Sequence, residues 1–208
     1  MPVGVPKVPF RGPGDEEPSW VDLYNRLYRQ RAIFLGQKID STIANQIMSV
    51  LLFLNIEDRR KSIEFFINSP GGSITSGMAI YDMMQAVEPD VKTVCIGVAA
   101  SMACFLLQGG EMTQRMAFPH ARVMMHQPLT NIDDKEKAGA SLLDIHEVLA
   151  MYYNIVNIYI QRTGKPSWTI LRDLHRDNFM SAEEAQDHGI VDLLLDSEFY
   201  NNYYNNNK

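Results

Sequence analysis

Cysteine is scarce in this sequence, which contains only Cys95 and Cys104 among its 208 residues. Two cysteines cannot form a disulfide framework, and their separation does not match the paired spacing of a structural zinc site. Both lie in apolar segments. We therefore expect two small, buried thiols in a protein of a reducing compartment.

Long apolar runs and an excess of basic residues are also missing. No segment approaches the ~20 apolar residues that a membrane-spanning helix needs. The formal net charge is −6, which gives no reason to expect nucleic acid or an anionic membrane as a partner. The first residues have no apolar signal core and include the acids at 15–17. We do not expect them to act as a transit peptide.

Apolar residues make up 46% of the chain, enough for one well-filled core. Residues 1–18 contain five of the ten prolines and predict a flexible or extended arm. Residues 19–196 are expected to form a single domain. Residues 197–208 are rich in asparagine and predict a disordered polar tail.

Short strand patterns alternate with helical patterns between residues 63 and 125. This alternation is typical of repeated β-α-β units and predicts an α/β fold with a mostly parallel sheet. Before it, the pattern predicts a helix at 22–31, a strand at 32–35 and a helix that begins with Ser41 as its cap.

The carboxyl-terminal part of the domain has clear boundary signals. Ser181 and Glu184 have the spacing of a capping box, which predicts the start of a short helix. Gly189 is a suitable residue for its end. A last strand is predicted at 190–195.

Ser101 stands between an apolar strand and an apolar helix. We expect a strand at 91–97, a turn at 97–100 and a helix that runs to the glycines at 109–110. A hydroxyl at the first turn of a helix lies beside free N–H groups, which would stabilise the negative charge that develops in acyl transfer. Serine is also a common helix cap, and the segment alone leaves both roles open.

Gly71 and Gly72 follow a predicted strand at 64–68 and precede a predicted helix at 74–87. Adjacent glycines let the backbone approach a ligand closely and aim its N–H groups, so they could supply an oxyanion donor. A tight strand-to-helix turn without a chemical role is the alternative.

His126 ends a third predicted strand, at 121–125. If the strands are parallel, Ser101 and His126 both lie at carboxyl ends, where the functional groups of open parallel sheets gather. His126 is therefore the candidate general base. His120 is at the amino end of the same predicted strand and so is a poor candidate, and surface or packing roles are expected for His146, His175 and His188.

A serine–histidine pair needs a third group that orients the imidazole. Asp177 is one candidate, because its polar turn runs into an apolar pair. Asp173 is expected to be a solvated helix residue, and Asp192 lies in a predicted strand where it can face either way. The residues alone do not decide between these acids.

Several motifs together resemble the proteolytic-subunit family of the Clp protease (ClpP), which are serine peptidases. The similarity extends from about residue 20 to residue 195, and residues 1–10 look like the plastid-encoded form of plants and algae. The motifs lie at 66–72, 79–82, 99–103, 126–128, 176–177, 179–182 and 185–192.

This resemblance implies specific roles for five residues. Ser101 would be the nucleophile, His126 its base and Asp177 the acid. The backbone N–H groups of Gly72 and Met102 would be the oxyanion donors. The resemblance implies neither a metal nor a cofactor for this chain, because a partner ATPase would use the ATP.

The resemblance also implies a ClpP/crotonase-type core with a protruding handle helix at about 133–162. Members of this family form two stacked seven-membered rings, from identical or mixed chains, that enclose a chamber. An AAA+ Clp ATPase would feed unfolded proteins into it, and the plastid form would work in the chloroplast stroma. Tyr24, Leu27 and Phe34 are candidates for docking this ATPase or for the core.

Residues 142–160 predict a helix that is apolar on several sides and so needs more than one neighbour to cover it. A partner subunit or the core of the same chain could supply this cover, and the resemblance favours the partner. The charged segment 129–137 departs from the small, glycine-rich character common there in the family.

Two other function classes share features with this sequence. A crotonase-type acyl-CoA enzyme would use the same fold and a glycine oxyanion hole, with a carboxylate acting on a thioester. A catalytically silent structural subunit of a mixed Clp ring would keep the fold without the reaction.

Overall fold

The computed structural model of the chain describes residues 4–11, 17–127 and 138–196. The expectations for the segment 129–137 and the tail 197–208 lie outside the described residues. The strands are β1 (Lys7–Phe10), β2 (Ser19–Asp22), β3 (Ala32–Leu35), β4 (Ile63–Ser69), β5 (Val91–Ala100), β6 (Arg115–Ala117), β7 (Arg122–Met125), β8 (Asn178–Ser181) and β9 (Leu193–Leu194). The helices are α1 (Leu23–Arg29), α2 (Ser41–Glu57), α3 (Ile74–Ala86), α4 (Met102–Gln108), α5 (Ala138–Thr163), α6 (Ser167–Leu174) and α7 (Ala182–His188).

The described strands form a mostly parallel sheet with β5 at its centre, as the alternating pattern predicts. The order is β3-β4-β5-β6-β9, and all four of these pairs are parallel. β7 adds parallel to β5, and β8 adds antiparallel to β7. β1 and β2, within and after the predicted arm, form a separate antiparallel pair.

β5 is longer than predicted, and the expected turn at 97–100 is wrong. Its first half pairs with β6 and its last residues, Val98 to Ala100, pair with β7. Gly97 has a φ of +89°, and a Cβ there would lie 2.8 Å from the side-chain oxygen of Asn68. The chain therefore bends at Gly97 but stays in the sheet, so the turn is confined to Ser101.

The first two helices, α1 and α2, have slightly different boundaries from those predicted. α1 ends before Arg31, which has a φ of 62° and so cannot continue a right-handed helix. The cap of α2 is Asp40 rather than Ser41, because the Asp40 carboxylate accepts the N–H of Ile43 at 2.8 Å. The buried face of α2 consists of Ala44, Ile47, Leu51 and Leu54.

The candidate docking residues are exposed or partly buried. The Tyr24 side chain is exposed and Leu27 is half-buried. Phe34 stacks on Phe66, with ring centroids 4.8 Å apart.

α4 is buried along its whole length between the sheet and α5. Cys104 on this helix and Cys95 on β5 are free and buried, as predicted. Burial raises the pKa of each thiol to about 12.

α5 has two different halves. Ile155, Val156 and Tyr159 in its second half are buried in the core. Three large apolar residues that precede them on the helix are exposed: Ile145, Leu149 and Tyr153. The core alternative therefore holds for Ile155, Val156 and Tyr159, and the described residues do not cover Ile145, Leu149 and Tyr153. None of the described helices is long and apolar enough to cross a membrane.

The region after α5 confirms the capping box of Ser181 and Glu184 and the end of α7 at Gly189. Two expectations here are wrong. Asp173 is not solvated but buried, because it faces His188 at the end of α7. The last strand is restricted to β9, because the chain leaves Gly189 in a tight turn and Asp192 bonds to Arg115 instead.

Candidate active site

Ser101 connects β5 to α4 in a conformation that non-glycine residues rarely adopt, with φ 57° and ψ −122°. Two backbone bonds hold it there: its N–H donates to the carbonyl of Met124 at 2.8 Å, and its carbonyl accepts the N–H of Phe105. Its side chain makes no capping bond to α4. Ser101 therefore stands at the N-cap position of α4, but its hydroxyl does not bond to the helix and is free for another contact.

His126 supplies that contact. Its Nε2 lies 2.7 Å from the Ser101 hydroxyl oxygen, and its side chain is mostly buried. The parallel register of β5 and β7 sets Ala100 opposite Met124. Both residues therefore follow strands that end at the same sheet edge, as the sequence argument predicts. A neutral imidazole with its proton on Nδ1 accepts the serine proton at Nε2.

Asp177 lies on the other side of the imidazole. Its Oδ1 is 3.4 Å from Nδ1 of His126, and 64% of its side chain is exposed. The antiparallel pairing of β7 with β8 sets Met125 opposite Asn178. The residue after β7 and the residue before β8 are therefore neighbours. The sheet brings Ser101, His126 and Asp177 into one row.

Gly71 packs directly under the turn at Ser101. A Cβ on Gly71 would lie 2.4 Å from the carbonyl oxygen of Ala100, 2.8 Å from Cβ of Ser101 and 3.0 Å from the backbone nitrogen of Met102. Its φ of +87° also favours glycine. This position therefore admits only glycine, and it brings the 71–72 backbone beside the first N–H of α4.

The Gly72 backbone is fixed by the chain at Ile39. Ile39 donates to the carbonyl of Gly71, and the N–H of Ser73 donates to the carbonyl of Ile39, both at 2.9 Å. The N–H of Gly71 is already bonded to the buried hydroxyl of Ser69, at 3.1 Å. Met102 is the first residue of α4, so its N–H has no acceptor within the helix. The N–H groups of Gly72 and Met102 are thus the pair suited to an oxyanion.

A cavity of about 280 Å³ opens beside this row. Apolar side chains line much of it: Pro70, Ile74, Met102, Phe105, Met124, Ile155 and Tyr159. Lys38 and His126 are the described lining residues that can carry a positive charge, and none of the described carboxylates lines it. The cavity suits an apolar side chain held next to the Ser101 hydroxyl.

The sequence model of the Clp protease family matches residues 14–198. The chain belongs to the Clp protease family. It is similar to two proteins named ATP-dependent Clp protease proteolytic subunit. One, from Glycine max, is 58% identical over 93% of this chain and 98% of its own length. The other, from Cucumis sativus, is 60% identical over 93% of this chain and 99% of its own length.

Family membership agrees with the α/β fold and makes the chain a Clp-type serine peptidase. A third relative of the same name, from Nicotiana tabacum, is 56% identical over 93% of this chain. The matches cover most of the chain and nearly all of each relative. They do not favour the acyl-CoA enzyme or the silent subunit.

The other candidate residues of this Clp-family chain lie outside the row. His120, His146 and His175 are exposed. His188 pairs with Asp173, and Asp192 pairs with Arg115. In the part of the chain that the structure describes, no group of three or more potential ligand side chains could hold a metal ion.

Sequence reasoning missed three contributors to the site. It did not separate the steric role of Gly71 from the donor role of Gly72, although the two adjacent glycines were the available signal. It missed the contribution of Ile155 and Tyr159 to the cavity. Nothing in the local pattern of α5 indicates which of its apolar residues reach the site.

Proposed function

We propose that Ser101, His126 and Asp177 are the catalytic triad of this Clp-family peptidase. The observation that carries the proposal is the 2.7 Å contact between the Ser101 hydroxyl and Nε2 of His126. A serine whose hydroxyl serves an imidazole rather than its own helix is arranged as a nucleophile with its base. Asp177 lies where it can orient Nδ1.

The reaction proceeds through an acyl-enzyme. His126 takes the proton of the Ser101 hydroxyl as Ser101 attacks the peptide carbonyl, and then gives it to the leaving amine. Water, activated by His126, hydrolyses the ester and frees Ser101. Asp177 stabilises the imidazolium in both stages.

The oxyanion of each tetrahedral intermediate would be bound by the N–H groups of Gly72 and Met102. The close packing of Gly71 against Ser101 and Met102 supports this role, because it sets both N–H groups beside the nucleophile. Loss of one such donor typically lowers the rate about 10²–10³-fold. Proton transfer and oxyanion binding use only groups of this chain, so the proposed mechanism needs no cofactor or metal.

The assembly and location are also part of the proposal. We place the chain in two stacked heptameric rings, of identical or mixed subunits, that receive unfolded proteins from an AAA+ Clp ATPase. The exposed apolar residues Ile145, Leu149 and Tyr153 on α5 support a partner at that surface. The plant relatives support the plastid stroma as the compartment.

A fluorophosphonate probe tests the mechanism in the assembled complex that contains this chain. Ser101 should be labelled in the wild type, and Ser101→Ala should remove both the label and this subunit's share of peptide cleavage. Ser49→Ala is a matched control, because Ser49 is exposed on α2 and bonds only to its own helix. Absence of label on Ser101 in the wild-type complex would identify a silent subunit or an acyl-CoA enzyme instead.

A further inference from the structure

The end of α6 carries a buried carboxylate–imidazole contact that the mechanism does not use. Asp173 is 9% exposed. Its Oδ2 lies 2.9 Å from Nε2 of His188, and its Oδ1 accepts the Nε–H of Arg172 at 3.0 Å. His188 is the last residue of α7, and its side chain is 11% exposed. The pair therefore ties the carboxyl-terminal ends of α6 and α7 together.

The end of α6 is also the point from which the proposed catalytic loop starts. Asp177 follows α6 within three residues. The carbonyl of Leu174, the last residue of the helix, accepts the N–H of Gln127 at 2.6 Å. Gln127 comes directly after His126. One helix end thus touches the chain segments that carry both Asp177 and His126.

Asp177 itself has little local support. Most of its side chain is exposed, and its contact with His126 is longer than an ordinary hydrogen bond. Its position is therefore set by the chain on either side. On one side, Asn178 is held in the sheet by Met125. On the other side, Leu174 accepts the N–H of Gln127, and Asp173, directly before it, bonds to His188.

His188 is a firm point of attachment for Asp173. The capping box fixes the start of α7, and Gly189 ends it in a left-handed turn. The carbonyl of Gly189 accepts a hydrogen bond from the buried side chain of Arg115 at 2.8 Å. His188 is thus held against the core by the residue that follows it.

The hydrogen bonds of the pair fix the charge of Asp173 and the orientation of His188. Burial raises the pKa of Asp173, but the bonds from Arg172 and His188 outweigh this effect and hold the pKa below its ordinary value. Asp173 is therefore a carboxylate at neutral pH. Among the described residues, Nδ1 of His188 is buried and has no hydrogen-bond partner. The orientation of this imidazole depends on Asp173.

We propose that Asp173 and His188 are a positioning pair for the catalytic loop, which fixes the end of α6 and thereby the approach of Asp177 to His126. The inference rests on the proposed function, since it assigns these residues a role through the triad. Neither residue lines the cavity beside Ser101. Loss of the pair should therefore affect turnover more than substrate binding.

Three variants in the assembled complex test this role. His188→Leu removes the bond, whereas His188→Gln can donate from an amide nitrogen near the position of Nε2. Asp173→Asn removes the charge. We expect His188→Leu and Asp173→Asn to lower kcat for a short peptide about tenfold or more, as misplaced catalytic groups do. KM should change less than about twofold, and His188→Gln should restore most of the activity.

The pH dependence of fluorophosphonate labelling separates positioning from a purely structural role. A displaced Asp177 changes the contact of the His126 imidazole. The acid limb of the plot of labelling rate against pH should therefore shift in His188→Leu and lie at its wild-type position in His188→Gln. His120→Leu is the control, because His120 is exposed in the turn before β7. Its kcat, KM and profile should match those of the wild type.

Several results would overturn the inference. One is a lower melting temperature in His188→Leu and Asp173→Asn with unchanged kcat and labelling profile. If His188→Leu does not assemble, His188→Gln is compared with His188→Asn instead. The asparagine side chain is too short for its amide nitrogen to reach Asp173. Equal turnover in these two would also overturn it. A wild-type complex without label on Ser101 contradicts the proposed function itself, so the two failures are distinguishable.

Discussion

Gly71 and Ser101 are in such close contact that a single methyl group on the glycine would lie 2.8 Å from Cβ of the serine. The same methyl group would lie 2.4 Å from the carbonyl of Ala100, which is backbone and cannot move aside as a flexible side chain does. The turn that exposes the Ser101 hydroxyl therefore depends on a residue without a side chain.

Gly71→Ala should displace this turn and the N–H of Met102. We expect fluorophosphonate labelling of Ser101 to slow about 10²-fold or more, because the oxyanion donors and the hydroxyl lose their mutual geometry. Gly36→Ala is the matched control, since a Cβ there meets no atom within 4 Å. Equal labelling rates for the two variants would contradict the steric role.

Asp177→Asn keeps the shape of the side chain and removes its charge. We expect kcat to fall by about 10–10²-fold, because the imidazolium formed in the reaction loses its counter-charge. This loss is expected to be smaller than for a buried acid, since the side chain is mostly exposed and water screens its field. Steady-state peptide cleavage measures the effect, and Asp82→Asn on the exposed face of α3 should leave kcat unchanged.

The ion pair between Arg115 and Asp192 predicts the acid sensitivity of the fold. Burial raises the pKa of Asp192, but the hydrogen bonds from Arg115 outweigh burial and lower it overall. A lowered carboxyl pKa stabilises the fold above the unfolded-state value, about 3.9, and this contribution is lost as the pH falls towards the folded-state value. The melting temperature of the wild type should therefore fall steeply below about pH 4.

Asp192→Asn checks this assignment. It leaves the nearly buried Arg115 without its counter-charge, so the free energy of unfolding at pH 7 should drop by about 3–5 kcal/mol. Its melting temperature should also depend less on pH in the acid range. A variant that retains the full acid sensitivity would show that other carboxylates cause it.

The two thiols should be inert in the folded protein. With a pKa of about 12 for Cys95 and Cys104, the thiolate is negligible at neutral pH. Alkylation with iodoacetamide, followed by mass spectrometry, should modify both residues only after the protein is unfolded in denaturant. Rapid modification of the native chain would contradict their burial.

Ser101 and His126 were predictable because each follows a strand whose local pattern is clear, and parallel strands end at one edge. Asp177 was not predictable in this way, because it is an exposed loop residue whose neighbours come from β7. Only the resemblance separated it from Asp173 and Asp192. All three roles are proposals that the labelling and peptide-cleavage experiments test.

The errors have a common physical origin in contacts between distant segments. Asp173 has the helical context of a surface acid, and its burial depends on α7, which packs against it from later in the chain. The strained backbone of Ser101 is held by Met124 and Phe105. A local pattern contains no information about either arrangement.

The row of Ser101, His126 and Asp177 also has a consequence for the timing of synthesis. The ribosome delivers β5 first, then β7, then α5 with its contribution to the cavity, and only afterwards Asp177 and β8. A growing chain that already contains the serine therefore lacks the remaining parts of the proposed site. The proposed chemistry of each chain is therefore complete only when almost its whole domain has emerged.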